Sequence, residues 1–190
     1  HHILPRYTAF GKSHGLQHVN RVIKNSIMLA GYTGADVNMA YVIAAYHDLG
    51  MSGPRAIHHI TGGKILINDA RLKRWFSNDQ LRIMKEAVED HRASSSYGKI
   101  IAEADRDLEP DVVFSRAIQY GLENNPELNK AQQWERFVSH MNEKYSRNGY
   151  IHLWIPGSPN ARKLKTIQDI IENKERLRMK FDSLYEKENN

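Results

Sequence analysis

The apolar positions of this chain recur mostly at three- and four-residue steps, the spacing of helices that bury one face. After Gly-Lys-Ser-His-Gly at 11–15, residues Val19, Val22, Ile23, Ile27 and Ala30 form one stripe, closed by Gly31 and Gly34. Asp36 is placed to cap a second helix, whose Val37, Ala40, Tyr41 and Ala44 lead into His47; Gly50, Gly53 and Pro54 then break the chain. A third helix is predicted over about 55–68, with Ile57, Ile60, Ile65 and Leu66 as its apolar members. A turn at 75–78, with Ser77 or Asn78 as cap, opens a helix through Leu81, Met84, Ala87 and Val88 to His91. Helices are also predicted over 99–107, about 112–122, 131–146 and about 161–186, the last an amphipathic helix through Leu164, Ile167, Ile171, Leu177, Phe181 and Leu184. Only Tyr150-Ile-His-Leu-Trp-Ile155 reads as a strand. One strand makes no sheet, so the fold expected is all-α.

Size and composition narrow the class. A chain of 190 residues, 41% hydrophobic and 26% charged, can bury a core without staples. It has no cysteine, which excludes disulfides and thiolate metal ligands and fits a cytoplasmic location. No apolar run approaches 18 residues, so no membrane-spanning helix is expected. The formal charge of +5 suits an anionic substrate as well as it suits a solubilising surface. Nucleic acid is not expected as a partner, because no stacking motif or RNA-binding module is present. The amphipathic last helix allows a homodimer. His1 and His2 are assigned no function.

Ten histidines is a high number, and their placement carries the chemistry. His47-Asp48 ends an apolar helix just before a glycine turn, where an imidazole nitrogen and a carboxylate oxygen can hold one divalent cation. Alone, such a pair is more readily read as a helix-end histidine beside a surface acid. His18 borders the apolar stripe of an earlier helix, and Asp105 lies in the later segment Ile100-Ile-Ala-Glu-Ala-Asp-Arg106. Ionisable groups at the edge of a core are costly unless paired or metal-bound. Three helices each offering ligands to one centre is how a bundle builds a metal site.

The order His18, His47-Asp48, Asp105 resembles the H…HD…D pattern of the HD superfamily. The surrounding words are similar too: HVNRV at 18–22, AAYHDLG at 44–50 and AEADRD at 102–107. The resemblance covers roughly residues 13–122. The phrases DHRASS, YGKIIAEADRD and GYIHLWIP are similar to a bacterial HD subset to which no function attaches, one expected to have a longer loop before Tyr97. The resemblance implies an HD-domain helical bundle over 1–122, with 123–190 as a helical C-terminal extension packed on the same domain. It further implies a divalent-metal phosphohydrolase, holding Mn, Fe, Co, Ni, Zn or Mg, in which metal-activated water attacks phosphorus. The expected substrate is a small phosphate ester or anhydride, a nucleotide above all.

Two-metal relatives, such as the HD-GYP phosphodiesterases and the symmetrical dinucleoside tetraphosphatases, place one further histidine after the HD pair and another before the last aspartate. His58 and His91 match those positions, with Gly62 and Leu66 four and eight residues after His58, and His59 falls beside the substrate or behind the ligands. One or two metals per chain are both open, and Asp48 is the bridge if there are two. The GYP half is absent, so cyclic di-GMP is not supported. Arg92, Lys99 and Arg106, with Arg55 beside them, are candidate cations for the phosphoryl oxygens. Arg21 can orient a carboxylate; His14, one turn before His18, can support the ligands or donate a proton, with a helix-start histidine the plainer reading. Glu103, His140 and the three tryptophans read as structural, and His152 as solvent-facing. The competing classes are a catalytically silent HD module that senses a nucleotide, a di-iron oxygenase on the same ligands, and a nucleic-acid or structural role for the basic last helix.

Overall fold

The computed structural model describes residues 2–11, 14–90 and 93–189. The chain divides into two compact units, His1–Arg106 and Asp107–Asn190. Among the described residues there are helices and turns but no strand, and no helix is long and apolar enough to cross a membrane.

The first unit contains α1 (Leu16–Thr33), α2 (Val37–Tyr46), α3 (His58–Asn68), α4 (Asn78–Glu89) and α5 (Ser96–Ala104), with short 3-10 turns between and before them. α2 is its axis: it packs against α1, α4 and α5 and buries Met39, Ala40, Val42, Ile43, Ala44, Ala45 and Tyr46. A helix apolar nearly all round must sit inside, and its C-terminal end then delivers His47 and Asp48 to the interior. Asp36 caps α2 through Asn38 N and Met39 N, as its position predicts. Val37 and Tyr41 of the predicted stripe face outward, because burial around α2 is wider than one stripe. On α1, Ile27 faces out and the small Ser26 faces in.

α3 departs most from its pattern. Ile57 and Ile60 are exposed, and the helix is seated through Gly62, Gly63 and Leu66. Ser77 forms a full capping box with Gln80 at the start of α4. Ser95 caps α5 through Gly98 N, so the Ser-rich stretch runs directly into helix at Ser96 and Tyr97. Trp75 is 80% exposed and is not a core residue.

Two tyrosines tie the periphery to α2. Tyr7, fully buried in a 3-10 turn, donates to Ala45 O at 3.0 Å. Tyr46 donates to Asp69 Oδ2 at 2.7 Å, and His2 reaches the same oxygen at 2.9 Å. Burial would raise the Asp69 carboxyl, but these bonds and Arg71 N–H outweigh it and hold it at about 2. The folded state thus favours the ionised form. Its stabilisation is complete above the unfolded value of about 4 and is lost as pH falls toward 2. Asp69→Asn is expected to flatten the acid limb of a urea-unfolding profile between those values.

The second unit contains α6 (Pro110–Asn124), α7 (Lys130–Tyr145), α8 (Pro159–Glu172) and α9 (Lys174–Glu188) around Phe114, Phe137, Ile167, Leu177 and Phe181. Within this unit α6 packs against α7, α8 and α9. Pro110 stands at the first turn of α6, where its missing N–H costs nothing.

Two predicted elements differ. Residues 150–155 form no strand; Tyr150 N and Ile151 N instead donate to Glu143 O and Lys144 O at the carboxyl end of α7, at 3.1 and 3.0 Å. The single helix read over 161–186 is two. Asn173 (φ −93°, ψ 92°) leaves the helical region, and its side chain caps α9 at Arg176 N.

Candidate metal centre

The site is assembled from three chain segments of the first unit. α1 carries His18 in its first turn, the end of α2 carries His47 and Asp48, and the end of α5 carries Asp105. His18 Nε2 lies 3.3 Å from Asp48 Oδ2, 3.3 Å from Asp105 Oδ1 and 3.3 Å from His47 Nε2. His47 Nε2 lies 3.4 Å from Asp48 Oδ2. Asp48 is buried, while the Asp105 side chain is half exposed, so the cluster opens to solvent on the Asp105 side.

Side-chain tethers hold α5 in place. Asn25 Nδ2 donates to Ala104 O and Arg21 NH1 to Asp105 O, each at 3.1 Å. Both donors stand on α1, one turn apart, and grip the terminal carbonyls of α5 that have no helical partner. The backbone that carries Asp105 is held in place as a result.

α3 comes in through glycine. A Cβ on Gly50 would stand 1.8 Å from His58 O and 2.8 Å from Gly62 N. A Cβ on Gly62 would stand 3.1 Å from Tyr46 O and 3.3 Å from His47 O. The His47–Ser52 turn and α3 therefore meet backbone to backbone. That approach brings His58 Nε2 to 3.9 Å from Asp48 Oδ1, whereas His18 and His47 approach Oδ2.

Charge and tautomer suit a cation. Burial would raise Asp48, yet hydrogen bonds with His18, His47 and His14 hold it well below the carboxylate range. Burial would lower His47, but Asp48 outweighs this and its basicity is raised. His47 Nδ1 is 2.7 Å from Ala44 O and His58 Nδ1 is 2.7 Å from Arg55 O. With the ring protons on those nitrogens, both Nε2 lone pairs point toward Asp48. His18 is arranged differently: Arg21 NH2 stands 3.1 Å from its Nδ1. For its Nε2 to serve as a donor, the proton must move to Nδ1, leaving Arg21 on Asp105 O.

Donor atoms about 2.1 Å from one shared ion stand about 3.0–3.4 Å apart. The 3.3 and 3.4 Å separations here match that spacing. Among the described residues, two sets of donors stand close enough to hold an ion, His18–His47–Asp105 and His14–His18–Asp48. Two imidazoles and two carboxylates fit a transition-series divalent cation better than calcium.

His14 is the residue that sequence reasoning undervalued. Its Nδ1 lies 2.7 Å from Asp48 Oδ2 and its ring packs edge-on to His18 at 5.5 Å. Its spacing, one turn before His18, was the available signal. His59 sits next to His58 on α3, their rings 5.6 Å apart. Lys99 is half-buried on α5, six positions from Asp105 and so about 240° round the helix from it. Arg106 directly follows Asp105 and is half-buried; Glu103 is fully buried. His91 and Arg92 lie outside the described residues. Asp90, just before them, accepts from the N–H and hydroxyl groups of Ser94 and Ser95 at 2.8–3.1 Å.

A comparison with protein families matches residues 15–108 to the HD domain. No curated protein and no solved structure matches the chain. The matched stretch begins one residue after His14 and ends three after Asp105, so it holds the whole H…HD…D set. Residues 15–108 are an HD domain, and through it the chain belongs to the HD superfamily, whose hydrolases depend on metal.

Proposed function

We propose that this chain hydrolyses a phosphate ester or anhydride of a nucleotide, with a divalent metal held by His18, His47, Asp48 and Asp105. The observation that carries the reading is the approach of His18 Nε2 to 3.3 Å from Asp48, Asp105 and His47 alike, three segments meeting at one atom. A divalent cation held by such a set brings the pKa of water toward neutrality and polarises a phosphoryl oxygen.

The chain's own groups divide the remaining work. Asp48 presents Oδ2 to the histidines at 14, 18 and 47 and Oδ1 to His58, so its two oxygens can serve two ions, with His58 on the second. His91 completes that second position in the resemblance. His14 Nδ1 stands 2.7 Å from Asp48 Oδ2, where it can orient that oxygen. The half-exposed side at Asp105 is where substrate enters, and Arg106 beside it, with Lys99 and Arg92 as further candidates, offsets charge on the phosphoryl oxygens.

Phosphate release from a panel of nucleoside mono-, di- and triphosphates and dinucleotides, with and without added Mn²⁺, tests this. Manganese-dependent release from at least one member is expected. A chain that binds Mn²⁺ and nucleotide but turns none over is instead a silent binding module. Positioning has its own test. Asn25→Ala, which releases the tether on Ala104 O, is expected to weaken metal binding by roughly tenfold to a hundredfold while leaving helicity unchanged. Titration calorimetry beside circular dichroism reads both.

A further inference from the structure

The second unit holds a cleft of about 370 Å³ lined from α6 and α7. Arg136, His140 and Lys144 stand at four-residue steps and so share one face of α7, and Arg116 and Tyr120 line the cleft from α6. Asp107 offsets one cation, pairing with Arg116 at 3.2 Å, and the lining keeps a formal surplus of two positive charges with His140 neutral.

Arg136 is built in. Its Nε donates to Gln133 Oε1 at 3.2 Å and its NH2 to Ala117 O, which fixes the plane of the guanidinium. Gly121 makes the room: a Cβ there would meet Arg136 NH2 at 2.3 Å. A cation half-withdrawn from water, seated by a glycine and set among other cations, is unfavourable until an anion joins it. Burial, and then the charges of Lys144 and Arg136, depress the His140 imidazole; Glu143 works the other way. Burial likewise depresses Arg136. The exposed Tyr120 ring adds a flat apolar wall.

We propose that this cleft binds a small phosphorylated polyanion, with Arg116, Arg136 and Lys144 as its charge partners. Guanidinium groups take phosphate oxygens in pairs, and the volume admits a diphosphate with a ring beside Tyr120. The site shares no residue with the histidine–aspartate cluster and does not depend on the hydrolytic reading.

The test uses the full chain after dialysis against a chelator, which removes metal-assisted phosphate binding at the HD cluster. Pyrophosphate and ADP are titrated by calorimetry, and the histidine ring signals are followed by NMR. Saturable binding at millimolar concentration or below is expected, with a shift of the His140 signal. The double variant Arg116→Ala/Lys144→Ala is expected to bind about tenfold or more weakly, while Asp48→Ala binds as the parent does. Tighter binding of ADP than of pyrophosphate assigns a nucleotide; equal binding assigns the phosphate chain alone, and both support the site. Absence of binding, equal affinity in the double variant, or loss of binding in Asp48→Ala overturns the proposal. Arg136 is left intact because its scaffold bonds make its removal a folding change.

Discussion

Asp48→Ala is expected to yield a folded protein that keeps no stoichiometric divalent metal and releases phosphate more slowly by a hundredfold or more, on the order of what losing a ligand costs. The reason lies in what one carboxylate does here. Oδ2 stands 2.7 Å from His14, 3.3 Å from His18 and 3.4 Å from His47, and Oδ1 faces His58. Without it, the imidazoles lose the buried carboxylate they converge on, the His14–His18–Asp48 set is gone, and His18–His47–Asp105 keeps only the half-exposed Asp105 as its acid. Asp48→Asn tests charge against shape: the amide keeps the size but lacks the negative charge, so it too is expected to lose metal. Metal analysis by mass spectrometry, phosphate release and circular dichroism on the same preparations give the three readings. Metal content equal to that of the parent would remove Asp48 from the site.

Gly50→Ala carries the second large effect, this time on the fold around the site. Its added methyl would stand 1.8 Å from His58 O and 2.6 Å from His58 C, both backbone atoms with no rotamer to give way. α3 must move away from the His47–Ser52 turn, at a cost of about 3 kcal/mol or more. His58 leaves Asp48 with it. A lower midpoint of urea unfolding and loss of any second metal equivalent are the expected results. Gly53→Ala is the control, since its methyl meets only Gly50 O at an ordinary 3.6 Å. Equal stability in the two variants would show that the close crossing does not matter.

The helices were readable where apolar spacing and caps agree. Asp36 and Ser77 both stand where a cap is predicted and both cap. Patterns failed where packing runs through the backbone or reverses at one residue. α3 has isoleucines at helical spacing, yet Gly62 and Gly63 make its contact face, and periodicity cannot score a residue without a side chain. The stripe from Leu164 to Leu184 keeps three- and four-residue steps except for one of six residues, from Ile171 to Leu177 across Asn173, and that gap is its one sign of two helices. The run at 150–155 has strand composition but no partner strand, and its N–H groups are met by α7 instead.

The candidate site was legible for a different reason. His18, the His47-Asp48 pair and Asp105 each sit at the margin of an apolar helix, and such margins converge when the helices pack. What spacing does not convey is support: the tethers from Arg21 and Asn25 to the end of α5, and the reach of His14 to Asp48 across 34 positions of sequence.

The account turns on one cation shared by donors from three segments. Crystals grown with Mn²⁺ and measured for anomalous scattering test it directly. The expected result is a peak within coordinating distance of His18, His47, Asp48 and Asp105, with a second peak, if present, on the His58 side of Asp48. A manganese-saturated protein with no peak between those four side chains would contradict it.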